Sequence, residues 1–341
     1  MPCSIHISSL NPIHKGSGLP RLSEPDYVHS PSGHNGRVES LPDGGYHFQW
    51  CPSDSKENWK QNGNRDYDDG MFYTVNKHCF RADDFESTKH SVKTKIMCAG
   101  DSYTFGIGVK DEHTYPHLLA KHFDAVNWNI AAGGIGNDAI ALMISQFFRE
   151  GYIPDVLVVN WGYLHRKILA VTESIIQDNN FPCKDTLPTG AQSEYNELCE
   201  RLLNEYNSDH PDQNLDGTEV AIWQPQATIP NDKPNINSVF NAHEHMIVRG
   251  GDTLFIDFAI QQQLVSALCK AHGVKLYEMF NDDVLYYFII KYLAPTGQWS
   301  GDIPFRCRSV EVDLARDNGH FGSKTLANIA NHLIEKLTPI L

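Results

Sequence analysis

The chain contains no long run of apolar residues and no excess of positive charge. No segment approaches the roughly 18 consecutive apolar residues that a transmembrane helix needs, so we expect no membrane anchor. The 28 lysines and arginines are outnumbered by 42 aspartates and glutamates, which gives a formal net charge of -14. Because nucleic-acid-binding surfaces are basic, we expect neither a membrane nor a nucleic acid as partner.

Targeting and metal-binding patterns are also missing. Residues 1–18 contain no basic segment followed by an apolar core, so the sequence predicts no secretory signal and a cytoplasmic location. The eight cysteines include no C-x-x-C pair, which favours free buried thiols over a zinc site or a redox disulfide. His243 and His245 lie in a polar segment without a third ligand at helical spacing. We therefore predict no metal and no organic cofactor.

The composition changes along the chain and divides it into two parts. Residues 1–90 are rich in Gly, Pro, Ser, Asn and His, and we expect an irregular N-terminal extension of loops and short strands packed on the main domain. Residues 91–341 form the main domain, with a polar insertion at about 175–250 that includes one plausible amphipathic helix, 193–206. The sequence makes no prediction about oligomeric state.

Strand and helix patterns alternate from residue 93 onward. Short apolar strands are predicted at 93–100, 125–131, 155–162 and 274–280, and helices at 114–123, 138–151, 253–273 and 323–337. This alternation predicts an α/β fold, a three-layer α/β/α sandwich with a parallel central sheet. Ligands bind such sheets at the carboxyl ends of the strands. Ser102, the pair Gly133 and Gly134, and the pair Asn160 and Gly162 follow or end the first three strands, so we expect them around one crevice.

These positions fit nucleophilic catalysis by a serine. A serine hydroxyl needs an adjacent base, usually a histidine that a carboxylate orients. The segment "DNGH" supplies Asp317 and His320 across an Asn-Gly turn before the last helix. The backbone N–H groups of Ser102 and Gly134 are candidate donors to an oxyanion. The alternatives are an ordinary turn at Ser102, a tight strand-to-helix turn at Gly134 and a helix-entry histidine at His320.

Three segments together resemble a known family. "GDSYTFG", "NIAAGG" and "DNGH" occur in the order, and after the elements, that are typical of the SGNH (GDSL-type) hydrolase superfamily, and "YTVNKHCFRADDF" is similar to a segment ahead of the serine strand in that family. The resemblance covers roughly residues 93–170 and 254–337. It implies a flavodoxin-like sandwich, hydrolysis of esters, Ser102 as nucleophile, His320 and Asp317 as its partners, and Gly134 as an oxyanion donor.

The third block of the family departs from its pattern in this chain. The family has G-x-N-D, with the Asn side chain as oxyanion donor, whereas alignment on Gly162 of "NWGYLHR" places Leu164 at that position. Asn160 is the predicted third donor, and His165 or Arg166 are the alternatives. Removing one such donor costs on the order of 100-fold in rate.

The sequence thus predicts a serine ester hydrolase, an acetylesterase or deacetylase that acts on a small-molecule or polysaccharide ester through an acyl-serine intermediate. Two alternatives remain, an acyltransferase of the same fold and a non-catalytic carbohydrate-binding or structural module without the third donor. Aromatic side chains are either a wall for sugar stacking or ordinary packing; they are Trp161, Tyr163, Trp223 and Trp299.

Overall fold

The computed structural model describes residues 38–51, 54, 56–61, 73–78, 80–164, 166, 208, 251–295, 299 and 304–341. The described part of the N-terminal extension forms an antiparallel sheet in the order β1-β2-β3, with β1 at Val38–Ser40, β2 at Tyr46–Phe48 and β3 at Tyr73–Val75. Two short helices belong to the same region, α1 at Lys56–Gln61 and α2 at Phe85–Thr88. The sequence analysis expected loops and short strands in this region; it did not predict the two helices.

The main domain is an α/β fold built on a five-stranded parallel sheet. Its strands are β4 at Lys95–Gly100, β5 at Val126–Asn129, β6 at Val156–Trp161, β7 at Lys275–Phe280 and β8 at Phe305–Arg306. Their order is β5-β4-β6-β7-β8, and each neighbouring pair is parallel. All six residues of β6 are buried, as an apolar central strand of a parallel sheet requires. The four predicted strands are confirmed; β8, with only two residues, is too short to give a pattern.

Helices cover both faces of this sheet. They are α3 at Ser102–Phe105, α4 at Tyr115–His122, α5 at Asn137–Arg149, α6 at Gly251–His272, α7 at Asp283–Phe288 and α8 at Ser323–Leu337. The helices α4 and α8 pack together, and α5 packs against α6. Along β4, Ile96 and Cys98 belong to one apolar cluster and Met97 and Ala99 to another, because successive strand residues point to opposite faces. This arrangement is compatible with a three-layer α/β sandwich.

The helix boundaries follow the local chemistry of the sequence. The hydroxyl of Thr114 accepts a hydrogen bond from the N–H of His117 and so caps α4. Gly151 and Gly273 follow α5 and α6 with φ of 80° and 70°, values that favour glycine. The π-helical turn Ile289–Leu293 continues α7, and the sequence pattern did not predict either element. The proposed insertion and its helix at 193–206 lie outside the described residues, apart from residue 208.

The N-terminal extension and the main sheet share one apolar core. Phe48 and Tyr73 of the small sheet stack with ring centroids 5.0 Å apart, and both belong to the cluster that contains Met97 and Trp128 of the main sheet. Cys51, in the same cluster, is one of four described free thiols, all buried. Within the described residues, no helix is long and apolar enough to cross a membrane.

Candidate active site

The turn after β4 holds Ser102 at the first position of α3. The carboxylate of Asp101 accepts a hydrogen bond from the N–H of Tyr103 at 3.1 Å and caps this short helix. Gly100 is required because a Cβ there would lie 2.1 Å from Thr104 Oγ1. The three residues of "GDS" therefore have separate roles. Gly100 lets the backbone approach Thr104, Asp101 caps α3, and Ser102 holds its hydroxyl at the carboxyl end of the sheet.

A compact loop before α8 holds the histidine and the acid. The N–H of Ala315 donates to the carbonyl of His320 at 2.7 Å, and Asn318 has a φ of 56°, as the Asn-Gly turn predicted. Asp317 Oδ1 accepts the N–H groups of Gly319 at 3.0 Å and of His320 at 3.1 Å. Its other oxygen, Oδ2, is 2.5 Å from His320 Nδ1. Because the carboxylate only accepts, the histidine carries a proton on Nδ1 and presents Nε2 as an acceptor.

The structure brings Ser102 to this histidine. Ser102 Oγ lies 2.8 Å from His320 Nε2, although the two residues are 218 positions apart in the chain. The Asp317 side chain is 2% exposed and that of His320 is 16% exposed. The imidazole is thus the part of the Ser102–His320–Asp317 array that remains accessible from outside. Such an array is suited to remove the hydroxyl proton during attack on a carbonyl carbon.

The electrostatics of Asp317 support this arrangement. Burial by itself raises the pKa of Asp317, but the hydrogen bond and the charge of His320, together with the N–H groups of Gly319 and His320, bring its pKa below the ordinary value. The acid is therefore ionised at neutral pH and stabilises the imidazolium that forms when His320 takes a proton.

A glycine turn lies beside the serine. The segment after β5 continues along β4, since the N–H of Ala132 donates to the carbonyl of Gly100 at 3.1 Å. A Cβ at Gly133 would lie 4.0 Å from Ser102 Cβ and 3.4 Å from Ile107 Cδ1. Gly134 follows with a φ of 75°, a left-handed conformation that favours glycine. The structure therefore brings the Gly133–Gly134 turn to Ser102. That Gly134 donates to an oxyanion stays a prediction.

Asn160, at the end of β6, makes its one side-chain hydrogen-bond contact among the described residues with Cys307 and not with this group. Its side chain is buried, its Oδ1 lies 3.7 Å from Cys307 Sγ, and its Nδ2 has no hydrogen-bond partner among the described residues. In the apolar clusters, Cys307 belongs with Cys98 and Val158, on the sheet face covered by α4 and α8. The structure shows no contact between Asn160 and Ser102, so its role as third donor stays a prediction that no contact supports.

Arg166 lies against the turn that contains Ser102. Its Nη1 lies 3.0 Å from Oδ2 of Asp101, the residue before Ser102, and its guanidinium lies over the Tyr163 ring at 4.7 Å from the centroid. A Cβ at Gly136 would lie 2.0 Å from the Arg166 carbonyl oxygen, so the chain after β6 packs directly on the N-cap residue of α5, two residues after the glycine turn. The other alternative, His165, lies outside the described residues.

Asp101 is the site residue that the sequence analysis did not assign. Its fully buried carboxylate accepts from Tyr103 N and from Asn281 Nδ2, at 3.1 and 3.4 Å, besides Arg166. It therefore joins the ends of β4, β6 and β7 directly behind the serine. The one available signal was its position in the "GDS" turn, because its partners are distant in the chain.

Tyr103 packs against the histidine, and Tyr163 contacts Tyr103. The ring of Tyr103 lies 4.9 Å from that of His320 between centroids, and its hydroxyl donates to the carbonyl of Gly319 at 3.2 Å. Tyr163 OH lies 3.4 Å from Tyr103 OH and accepts from Arg308 Nη2 at 3.3 Å. These contacts hold the imidazole against a rigid surface and fix the orientation that Asp317 selects.

Of the two alternatives for the aromatic side chains, sugar stacking or packing, burial favours packing for those that the structure describes. Trp161, Tyr163 and Trp299 are buried, and the Trp161 indole N–H donates to Glu278 Oε1 at 2.8 Å. The packing alternative therefore holds for these three. Trp223, His243 and His245 lie outside the described residues, and among those described no group of three or more His, Cys, Asp or Glu side chains could hold a metal ion.

Comparisons with known proteins add little to this geometry. No protein-family model matches the chain, and no curated protein matches it. A solved structure with 12% sequence identity aligns over 73% of this chain and 99% of its own length, with a TM-score of 0.28. A similarity this low carries no argument about fold or function.

Proposed function

We propose that this chain is a serine ester hydrolase of the SGNH type, with a flavodoxin-like domain and a Ser102–His320–Asp317 triad. The observation that carries the proposal is the 2.8 Å distance between Ser102 Oγ and His320 Nε2, with Asp317 at 2.5 Å on the other ring nitrogen. This order of contacts, together with a carboxylate whose pKa is lowered, is what a hydroxyl nucleophile requires at neutral pH.

The proposed reaction has two half-reactions. Ser102 Oγ attacks the acyl carbon while His320 Nε2 takes the hydroxyl proton, and His320 then gives that proton to the leaving alcohol as the C–O bond breaks. Water, deprotonated by His320, attacks the acyl-serine and releases the carboxylic acid with Ser102 restored. The oxyanion formed in each half-reaction accepts from the backbone N–H groups of Ser102 and Gly134.

We assign the third oxyanion donor to Arg166 in place of Asn160. Arg166 comes from the loop that follows β6. Its carbonyl packs on Gly136, two residues after the glycine turn, and its side chain bonds Asp101, the residue before Ser102. Asn160 Nδ2, in contrast, is buried on the sheet face that also holds Cys307. A guanidinium offers five N–H donors, so the bond to Asp101 leaves capacity for a substrate oxygen.

The substrate is an ester with a short acyl group, and we propose an acetylated sugar or polysaccharide. Gly133 and Ile107 lie beside Ser102, since a Cβ at Gly133 would be 4.0 Å from Ser102 Cβ and 3.4 Å from Ile107 Cδ1. We propose that these neighbours favour a small acyl group. The expected order of kcat/KM on p-nitrophenyl esters is therefore acetyl, then butyryl, then octanoyl.

The decisive experiment compares the wild-type chain with Ser102→Ala on p-nitrophenyl acetate and on acetylated sugars. The variant should lose at least about 10³-fold in kcat. The matched control is Ser87→Ala, an exposed serine whose hydroxyl bonds only locally to the carbonyl of Asp84; its rate should be unchanged. If Ser102→Ala keeps the wild-type rate, Ser102 is not the nucleophile.

Two further outcomes distinguish the alternatives. If no ester in the panel is hydrolysed by the wild-type chain, the hydrolase proposal fails and a non-catalytic module stands. If a radiolabelled acetyl group passes to an added sugar alcohol in preference to water, the chain is an acyltransferase that uses the same Ser102 intermediate.

A further inference from the structure

The residue before the catalytic acid is held by the N-terminal extension. Arg316 Nε donates to Asp54 Oδ2 at 2.5 Å, and Arg316 Nη2 donates to the carbonyl of Gln49 at 2.7 Å. The guanidinium also lies 4.1 Å from the centroid of the Trp50 ring. The Arg316 side chain is 9% exposed and that of Asp54 is fully buried. A residue directly adjoining Asp317 is thus fixed by a part of the chain 262 positions away.

Asp54 is the centre of a buried polar group. Its Oδ1 accepts the N–H of Cys51 at 2.6 Å, and its Oδ2 accepts Tyr73 OH at 2.7 Å besides Arg316. Tyr73 OH in turn accepts the N–H of Gly108 at 2.6 Å. Burial raises the pKa of Asp54 above its ordinary value, although Arg316, Tyr73 and the N–H of Cys51 all lower it. Burial of this carboxylate is thus offset only in part by its partners, and its three hydrogen bonds fix the positions of Cys51, Tyr73 and Arg316.

The extension also holds the segment that bears the nucleophile. Arg81 donates from Nη1 to the carbonyls of Phe105 and Gly106 at 2.9 and 2.6 Å, and from Nη2 to that of Val109 at 2.9 Å. Its guanidinium lies 4.7 Å from the centroid of the Tyr73 ring. Tyr73 therefore contacts the groups that fix both catalytic segments: Arg81 behind α3, and Asp54 with Arg316 behind the acid.

The backbone transmits this constraint to the acid. The N–H of Arg316 donates to the carbonyl of Gly108 at 3.5 Å, and the next carboxylate, Asp317, bonds His320. With both its backbone and its side chain held, Arg316 fixes the direction in which the chain enters the Asn-Gly turn. Catalytic groups must be held within roughly 0.5 Å of their productive geometry, and a misplacement of about 1 Å from a distant mutation costs on the order of 100-fold.

We propose that Asp54 of the N-terminal extension is a positioning residue for the triad, acting through Arg316 on Asp317 and His320. Its kinetic test rests on the proposed function, whereas its spectroscopic test does not. Asp54→Asn is the sharpest variant, because both carboxylate oxygens accept hydrogen bonds and an amide NH₂ must face one of those donors.

Two readouts are measured on the full chain. The first is kcat and KM on p-nitrophenyl acetate, where Asp54→Asn should lower kcat by roughly 10- to 100-fold with KM changed by less than about threefold, since Asp54 does not touch substrate. The second is the low-field proton resonance of His320 Nδ1–H, which reports the bond to Asp317 whether or not esters are cleaved. It should move or broaden in Asp54→Asn.

The matched control is Asp283→Asn, which breaks another Asp–Arg pair. Asp283 accepts from Arg306 Nε and Nη2 at 2.6 and 2.8 Å, and its side chain is 16% exposed. It should change neither readout. Arg316→Lys keeps the charge but loses the second donor to Gln49, and it should show an intermediate effect. This variant replaces Asp54→Asn in the test if Asp54→Asn does not fold.

Several outcomes decide the proposal. If Asp54→Asn folds and keeps both kcat and the resonance, or if Asp283→Asn changes them equally, the positioning role is wrong. If Asp54→Asn does not fold and Arg316→Lys leaves both readouts unchanged, it is wrong as well. If the wild-type chain cleaves no ester but the resonance is present and is lost in Asp54→Asn, the positioning role stands and the proposed function fails.

Discussion

Two loops at the carboxyl edge of the sheet contribute to the candidate site in different ways. Within the loop Asp313–Gly322, the turn around the acid is closed by local bonds: Asp317 accepts two N–H groups of its own turn, and Ala315 pairs with His320. Only Arg316, just before the acid, is bonded to the N-terminal extension among the contacts described above. The loop after β6, from Gly162 to Arg166, is organised by residues from other elements. The side chain of Asn137 both accepts from Gly162 N and donates to Gly162 O, at 2.8 and 3.0 Å.

The two loops also differ in the carboxylates they rest on. The Asp317 side chain is buried, which by itself raises its pKa. His320 and backbone N–H groups more than offset this effect, so the pKa is lowered. Behind the loop after β6, burial raises the pKa of Asp282 to about 6 and that of Glu278 to about 7. Asp282 Oδ2 accepts the N–H of Leu164 at 3.4 Å, and Glu278 holds the indole of Trp161. Asp317 is therefore ionised at neutral pH, whereas Asp282 and Glu278 are costly to ionise.

The largest effect is expected from a substitution of Asp317, the acid in the loop Asp313–Gly322. Asp317→Asn should lower kcat on p-nitrophenyl acetate by about 10⁴-fold, because an amide at this position favours the wrong imidazole tautomer. Folding should be retained, since Oδ1 can still accept the turn N–H groups. The measurement is steady-state kinetics with far-UV circular dichroism on the same sample. A variant with wild-type kcat would show that His320 is oriented by something other than Asp317.

The second-largest effect is expected from a substitution of Arg166 in the loop after β6. Arg166→Gln should lower kcat by roughly 10- to 100-fold, and Arg166→Lys should recover part of the loss because it restores the charge beside Asp101. Asn160→Ala should change kcat by less than about threefold. The comparison is made by kinetics on p-nitrophenyl acetate, with thermal unfolding to detect general damage. If Asn160→Ala is the more damaging variant, the third donor is Asn160 and the assignment to Arg166 is incorrect.

The third effect concerns the pH dependence of stability. Glu278 has a folded-state pKa of about 7 against an ordinary 4.5, so its contribution is fully present below about pH 4.5 and is lost as the pH rises through 7. Glu278→Gln should therefore gain stability over the wild type between pH 5 and pH 8, by on the order of 1–3 kcal/mol.

The variant should keep the neighbouring bonds. The Gln side-chain oxygen can accept from Trp161 Nε1, and its NH₂ can face Gln262, whose amide can turn. Urea denaturation at the two pH values provides the measurement. For Asp317 the pH dependence of stability has the opposite sign. Because its pKa is lowered in the folded state, its contribution to the free energy of unfolding is present above its unfolded pKa and is lost in acid. A Glu278→Gln difference that does not depend on pH would argue against a raised pKa.

The smallest effect tests the junction between the local loop and α8. Asp313 accepts the N–H of Thr325 at 2.8 Å and of Lys324 at 3.1 Å, and so caps a helix whose own N-cap, Gly322, has no side chain. Asp313→Ala should cost about 1 kcal/mol in the free energy of unfolding. Asp313→Asn, which keeps one acceptor, should cost less. Equal losses for both variants would show that the charge, not the cap, is what stabilises α8.

The sequence by itself determined the elements and the parts of the site that rest on local chemistry. The pattern of apolar residues gave the four longer strands of the sheet and helices α4, α5, α6 and α8, and the "DNGH" turn placed Asp317 beside His320. The parallel order of strands also brought Ser102, at the end of β4, to the same edge as that turn. These inferences succeed because strand alternation, helix periodicity, caps and Asn-Gly turns depend on residues within one turn of each other.

Only the tertiary structure decided which distant side chains support that site. It placed Asn160 against Cys307, Arg166 against Asp101, and Arg316 against Asp54. It also buried Trp161, Tyr163 and Trp299, which the sequence could not distinguish from exposed aromatic side chains. The physical reason is that a buried polar side chain is fixed by whichever donors and acceptors the packed elements bring to it, and spacing along the chain does not encode that encounter.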